Sequence, residues 1–463
     1  MPLVEEIPVA LPVRSQGKRW QVGTLTYTTP ALLILFGWLL WGDFAWAMKD
    51  RTVGPVLQLM LKQFSASDTL NGILLSSLPL AISMILGPII AYKSDRHRGR
   101  WGRRIPFLLI PAPIVALAMI GLAMSPTLGV SLHELLGQHS PGLNVATLIW
   151  LCLFWIVYDF STTIANSVFG ALINDVVPQA VVGRFYGCFR ATSLLAGIGF
   201  NYWLFGQAEE YYLWIFLGMG LLYGVGFSMM CLKVKEGDYP PPELANSSGG
   251  VIAFFAAART YFGQCFGIPF YRWYYVAGAM AWMALAPFNL FNIFYAKSLD
   301  MNMTTYGECI ALTFVISFFL AYPLGVLADR FHPLRVCLVV QFFYMVGMLC
   351  SGLLVTDVTS FAVALVVHGV LSGTFMTSAA SLGQRLLPRP KFAQFNSAAG
   401  IVGCLGGIIV GPGVGLFLDH ADHNYRYTFY MAFALEASAL IAGLILYRKF
   451  VALGGSRNYV API

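Results

Sequence analysis

Twelve apolar runs, each long enough to cross a bilayer, constrain this chain more than any other feature. They fall at approximately 29–61, 69–92, 104–124, 144–175, 180–205, 211–232, 271–297, 303–328, 333–354, 359–385, 393–417 and 427–447. A spanning helix needs about 20 apolar residues. Lipid offers no partner for a backbone N–H or C=O, so each run must satisfy its own hydrogen bonds as a helix. Only 11% of the 463 residues are charged, and the mean hydropathy is +0.71. A soluble domain carries about a quarter charged residues. An all-α membrane protein with 12 transmembrane helices is therefore expected.

The basic residues test this map. With the N-terminus placed in the cytoplasm, the tails and the even-to-odd loops carry 22 of the 28 Lys and Arg, including the cluster Lys93, Arg96, Arg98, Arg100, Arg103 and Arg104. The outside loops carry Lys62, Lys297 and Arg426 alone. Lys49, Arg51 and Arg190 fall inside helices. The asymmetry predicts an inner-membrane, multi-pass chain with both termini cytoplasmic. It also explains the net charge of +7 without nucleic acid, since the cations lie beside anionic lipid headgroups. The first 25 residues hold no long apolar core, so no cleavable signal is expected.

A long polar connection divides six helices from six. It contains Lys235-Glu236-Gly237-Asp238 and Pro240-Pro241-Pro242, and its 250–266 stretch suits an amphipathic surface helix. The expected domains are a cytoplasmic tail (1–28), a six-helix bundle (29–232), a central loop (233–270), a second bundle (271–447) and a C-terminal tail (448–463). The eight cysteines form no CxxC pair, and all but Cys265 sit in or beside apolar runs, so buried free thiols are expected and no metal site. Asn246-Ser-Ser and Asn302-Met-Thr match glycosylation sequons and read as chance matches.

The halves echo each other. Gly87-Pro-Ile-Ile-Ala-Tyr-Lys-Ser-Asp95-Arg96, followed by Gly102-Arg103-Arg104, ends the second helix of the first half. Pro323-Leu-Gly325-Val-Leu-Ala-Asp329-Arg330 ends the second helix of the other. A weaker echo joins Asp175-Val-Val-Pro178 to Leu386-Leu-Pro388-Arg389-Pro390. Repeats of this kind mark transporter folds. The Asp95-to-Arg104 block resembles the cytoplasmic signature between helices 2 and 3 of the major facilitator superfamily. Its wording through Trp101-Gly102-Arg103-Arg104-Ile105-Pro106-Phe107 is similar to that of glycoside–cation symporters and sucrose transporters, as is Gly42-Asp43-Phe44. The resemblance implies two pseudo-symmetric six-helix bundles with a solute site between them. It also implies a cation-site carboxylate at Asp159. That family's paired acids in helix 2 have no counterpart, because 69–92 lacks Asp and Glu. A coupling proton is expected before sodium.

Ionisable groups inside membrane helices cost several kcal/mol unless paired or hydrated, so they mark function. Asp43 and Asp50 in helix 1 are seven apart, within roughly 20° on a helix, and are expected to face one cavity. Lys49 and Arg51 flank Asp50. The bland alternative ends helix 1 before Met48 and leaves Lys49 to Arg51 in a wet loop. Asp159 of helix 4 is expected to pair with Arg190 of helix 5, as a coupling pair or a purely structural one. Asn289 and Asn292 of helix 7 lie three apart among aromatics and suit a polyhydroxyl ligand, or else bond between helices. His368 in helix 10 is a titratable candidate or a packing residue. Glu436 in helix 12 is expected to hydrogen-bond between helices, and Glu308 to be solvated. Gly87, Asp95, Arg96, Gly102, Arg103, Arg104, Asp329 and Arg330 are assigned to gating, with the glycine-rich helix 11 packed closely enough to slide.

No nucleotide loop, nucleophile motif, metal spacing or cofactor loop occurs, so neither an enzyme nor a cofactor is expected. The expectation is a monomeric secondary transporter for a small solute, a sugar by the resemblance. A proton-coupled exporter of amphipathic or anionic compounds is the first alternative. A non-transporting receptor or scaffold is the second.

Overall fold

The computed structural model describes residues 19–239, 251–388 and 391–462; Arg14, Lys18, Pro240 to Pro242, Asn246, Arg389 and Pro390 lie outside them. Helix 1 is Thr29–Gln63, helix 2 Asp68–Arg96, helix 3 Pro106–His139 and helix 4 Leu143–Val176. Helices 7 to 12 are Pro269–Ser298, Met303–Phe331, Pro333–Leu354, Val358–Leu386, Phe392–His420 and Tyr427–Ala452.

Helices 5 and 6 run without a coil break over Val182–Lys233. As one straight rod, 52 residues would reach about 78 Å, far beyond the roughly 30 Å hydrocarbon core. The chain instead turns back at Phe205–Gln207 and Tyr211, whose φ of −111° and ψ of 22° are non-helical. One ring shows the reversal: Phe169 lies 6.1 Å from Phe189 and 5.3 Å from Phe227. Helix 5 is therefore Val182–Gln207 and helix 6 Ala208–Lys233, giving twelve spans among the described residues.

Local chemistry sets the helix starts. Side chains of Thr28, Ser67, Asn302 and Asp357 accept a free first-turn N–H of helices 1, 2, 8 and 10. Before helix 1, within the expected N-terminal tail, Trp20–Val22 and Leu25–Tyr27 form a small antiparallel hairpin turning at Gly23. The surface helix of the central connection is Val251–Phe266, tied to helix 11 through Tyr261 and Gln394.

The packing repeats with a shift of six. Helix pairs 1·5, 1·6, 2·4, 3·4 and 3·6 touch in the first half; 7·11, 7·12, 8·10, 9·10 and 9·12 touch in the second. Across the halves, helix 2 packs on 11 and helix 5 on 8, two contacts that exchange under the same shift. This is the two-bundle architecture.

The halves are clasped at the end away from the basic loops. Asp419 at the end of helix 11 accepts from the first N–H groups of helix 2, Asp68 at 2.8 Å and Thr69 at 2.9 Å. His423 and Tyr425 hold the Asp68 carboxylate at 2.7 and 3.1 Å, and Lys62 donates to the Tyr425 hydroxyl at 2.9 Å. Lys297 pairs with Glu209 at 2.5 Å. Helices 2 and 11 approach so closely that a Cβ at Gly411 would collide with Ser76 and the Gly72 backbone. At the basic end the ion pairs stay within one half: Arg104 with Asp95 and Asp175, and Arg385 with Asp329.

Candidate functional site

Helix 1 is continuous through Lys49, Asp50 and Arg51, which removes the wet-loop alternative. Lys49 points inward and is 0% exposed. Its ammonium lies 4.3 Å from the Trp46 ring centroid, 5.2 Å from Tyr223 and 5.6 Å from Tyr158. Aromatic faces attract a cation through their quadrupoles, most strongly where water is excluded. No oxygen hydrogen-bonds the Lys49 Nζ among the described residues. Asp50 and Asp159 act on it electrostatically instead. Asp159 is 8% exposed, and its Oδ2 also lacks a hydrogen-bond partner.

This corrects the expected Asp159–Arg190 pair. Asp159 answers to Lys49, whereas Arg190 is exposed and lies near Arg51. Adjacent helices offered several registers, and sequence spacing within one helix could not choose between them. The structure also separates Asp43 from Asp50. Asp43 is buried with one carboxylate oxygen unpartnered, while Asp50 is exposed. They share an angular sector of helix 1 but differ by about 10 Å in height, which puts different neighbours around each. Arg51 lies 4.8 Å from the ring of Phe314 on helix 8, so it stands at the seam between the halves.

In the second half, Asn289 is exposed at the level where Leu290 accepts a hydrogen bond from Asn71 of helix 2. That level is also at the seam. His368 Nε2 meets Asn289 Oδ1 at 2.9 Å, and His368 Nδ1 meets the Tyr344 hydroxyl at 3.0 Å. Phe288 packs on the imidazole at 4.5 Å. Asn292, expected on the same face as Asn289, is instead buried and accepts from Tyr306 at 3.0 Å. Glu436 is 2% exposed, with Gln341 within hydrogen-bonding reach. Glu308 is exposed. The eight cysteines are free, and Cys188 and Cys350 are exposed where burial was expected.

The basic-end residues form a built corner. Asp175 binds Arg103 at 2.7 Å and Arg104 at 3.1 Å, and Asp95 binds Arg104 at 2.5 Å. Glu236 caps the corner by accepting from the N–H groups of Arg103, Arg104 and Ile105. Gly102 is required there, with φ of +100° and Glu236 where a Cβ would stand. Gly87 faces Ser167 of helix 4. Arg96 stacks on Tyr92 at 3.7 Å, and Arg330 lies 5.4 Å from Phe331. Asp329 holds Arg385 alone, at 2.5 Å. The sequence reading missed Glu236 and the Asp68–Asp419–His423–Tyr425 clasp. The only signal for the clasp was acidic and aromatic residues in two loops 351 positions apart.

Arg51, with Asp50 and Arg190 near it, reaches the seam from the first half, and Asn289, next to Leu290, reaches it from the second. The buried Lys49, with Asp50 and Asp159 acting on it, belongs to the first half.

Comparison with known proteins identifies the family. The family model described as Major Facilitator Superfamily matches residues 39–409, and again 274–453. The human "Proton-associated sugar transporter A" is 31% identical over 168 residues, covering 36% of this chain and 21% of that protein. "Sucrose transport protein SUT1" of Oryza sativa subsp. japonica is 26% identical over 152 residues, covering 31% and 26%. The matches thus span about a quarter or less of those relatives' length. A bacterial homologue of the human lysosomal transporter Spinster, solved inward-facing and unoccupied, superposes with a TM-score of 0.67 at 14% identity, over 94% of this chain and 100% of its own. With most of its length matched by the family model and five helix pairings repeated between its two bundles, this multi-pass membrane chain belongs to the Major Facilitator Superfamily, as a transporter and not an enzyme.

Proposed function

We propose that this protein is a proton-coupled secondary transporter of a small polyhydroxylated solute, bound at the seam and moved by alternating access. One observation carries the reading. A fully buried lysine in an aromatic cage is balanced by Asp50 and by Asp159, the latter a buried carboxylate with a free oxygen. Protonating Asp159 removes one of the two balancing charges, and the energy of the buried Lys49 then changes with the proton. The human relative is named for a proton and a sugar and the rice relative for sucrose, which supports the same direction. Asn289, Asp50 and Arg190 supply donors and acceptors suited to hydroxyl groups.

The basic end is assigned to the cytoplasm of an inner membrane by its loop charges. The clasp at the other end then makes this conformation open to the inside. We assign Asp95, Arg104, Asp175 and Glu236 to an inner-end lock within the first half, and the Asp419 clasp to the outer gate.

Uptake of a labelled sugar panel into proteoliposomes, with and without an imposed pH gradient, tests the reading. Asp159→Asn should abolish gradient-driven accumulation and spare exchange at equal concentrations. Equal loss of both reduces Asp159 to a structural residue. If no sugar competes and the gradient has no effect, the solute and coupling assignments both fall. The cations Arg51 and Arg190 at the seam favour an anionic solute as the second reading, which the same panel tests with organic acids added.

A further inference from the structure

The second half holds a cavity of about 520 Å³ on the side of the basic loops, apart from the seam groups described above. Helices 7, 9, 10, 11 and 12 build most of its wall, and helix 2 of the first half closes it with Ser76 and Leu80. Helices 7 and 11 contribute stripes at i, i+3 and i+4 spacing, from Tyr275 to Ala286 and from Asn396 to Gly407. No Asp, Glu, Lys, Arg or His stands among the described residues that line it, and Asp50, Arg51, Arg190 and Asn289 all lie outside the lining. The wall is mainly apolar, with the exposed Trp282 indole on it. Few polar groups interrupt it. The Tyr274 hydroxyl and the Asn396 amide oxygen lie 3.2 and 3.6 Å from where a Cβ would stand on Gly383, so they face one point. The Gln341 amide adds a third from helix 9.

The glycines along this wall are of two kinds. At Gly406, Gly407 and Gly411 of helix 11 a Cβ would collide with Met283, Leu80 and Ser76, so close packing requires them. At Gly278, Gly400 and Gly403 a Cβ would meet nothing within 4 Å. Glycine inside a helix costs about 1 kcal/mol against alanine. No contact in this conformation offsets that cost at the second group. Those glycines leave room. The room lies between Leu80 of the first half and the helices of the second, so whatever fills it stands between the halves.

We propose that this cavity binds a small, uncharged, largely apolar molecule with one or two hydrogen-bonding groups, and that the bound molecule is a wedge that keeps the inner end open, not a cargo. The volume suits a small molecule, and a mainly apolar wall with a few converging polar groups is the usual make-up of such sites. A charged molecule would lose its hydration against a wall with no opposite charge to replace it. Closing the inner end brings the inner length of helix 11 toward helix 2 through the occupied space. The wedge rests on the alternating access proposed above; the binding site does not.

The probe is N-phenyl-1-naphthylamine, an uncharged aromatic amine with a single N–H that fluoresces once out of water. Titrated into the whole protein in nanodiscs, with empty nanodiscs subtracted, it should show a saturable site. Gly403→Leu and Gly278→Leu fill the space from helices 11 and 7, and each should weaken binding about tenfold or more, with melting curves checking the fold. The sulfonated relative 1-anilinonaphthalene-8-sulfonate should bind this site about tenfold more weakly than the neutral probe. The wedge is read at the opposite end of the molecule. In Ser67→Cys protein, saturating probe should slow reaction with a polar thiol reagent about threefold, and adding Gly403→Leu should do the same without probe. No saturable binding, or binding that survives both leucine substitutions, overturns the site. Labelling unchanged by the probe, or accumulation of the probe by proteoliposomes against its gradient, overturns the wedge. If labelling ignores Asp419→Asn as well, the proposed gate falls and takes the wedge with it, while the cavity site stands on the fluorescence.

Discussion

The two halves share one packing plan but hold opposite chemistry in their interiors. The first buries charge: Lys49 without a hydrogen-bond partner, and Asp43 and Asp159 each with a bare oxygen. The second buries one carboxyl, Glu436, also with a bare oxygen, and a hydrogen-bonded cluster in which His368 is satisfied at both nitrogens. An unbalanced buried charge is costly and a satisfied cluster is not, so the first half carries the larger electrostatic burden.

The largest test of this contrast is a double-mutant cycle on the first half. Asp159→Asn should lower thermal stability by about 3 kcal/mol, because it leaves the buried Lys49 with only the exposed Asp50 to balance it. Adding Lys49→Met should recover most of that loss in a melting assay, while gradient-driven uptake stays absent in both variants. Simple additivity of the two substitutions would dissolve the couple.

Next in size is the clasp. Asp419→Asn weakens charge-assisted bonds to the start of helix 2 and should favour separation of the halves by about 2 kcal/mol, roughly thirtyfold in population. A cysteine placed at Ser67 should then react correspondingly faster with a polar thiol reagent. Unchanged reactivity would show that the close packing of helices 2 and 11 closes this end without the carboxylate.

The two basic-end turns differ in the same graded way. Arg104 is buried against Asp95 and Asp175 with Glu236 above it, whereas Arg385 and Asp329 are both exposed. Arg104→Lys should cost about 1–2 kcal/mol in a melting assay through lost bidentate geometry. Arg385→Lys should cost less than about 0.5 kcal/mol. Equal losses would mean that the second turn is built as tightly as the first.

A pH-dependent effect concerns His332, which caps helix 9 at that second turn. Burial, then the cations of Arg385 and Arg335, push its pKa down to about 4. The unfolded chain takes up the proton near 6.5, so stability should fall as pH drops from about 6.5 toward 4. His332→Asn should flatten melting temperature across that window. A slope unchanged by the substitution would place the acid sensitivity elsewhere.

Helix positions were legible because they depend on a one-dimensional quantity, the apolar run against bilayer thickness. Helix 1 read through Lys49–Arg51 for the same reason, since Val53 to Leu61 needed a helix to belong to. The partnerships were not legible. Lys49 met Asp159, Tyr158 and Tyr223 across three helices, and His368 joined Tyr344 to Asn289 across three more. Spacing of i, i+3 and i+4 fixes a face of one helix, not the rotation of the next. Asn289 and Asn292 show the limit: three residues apart was enough to place one at the seam and the other against Tyr306. Glu236 was hidden differently, because a carboxylate capping three backbone N–H groups leaves no pattern of side-chain types.

The exchange of the 2·11 and 5·8 contacts under the six-helix shift has a mechanical consequence. Each joint is the mirror tenant of the other, so neither can hinge alone without breaking the likeness of the bundles. If the bundles rock as rigid bodies, as proposed, loosening the Asp419 joint would also shift the opposite flank, where Gly307 of helix 8 lies so close to helix 5 that a Cβ would meet the Asn201 carbonyl oxygen.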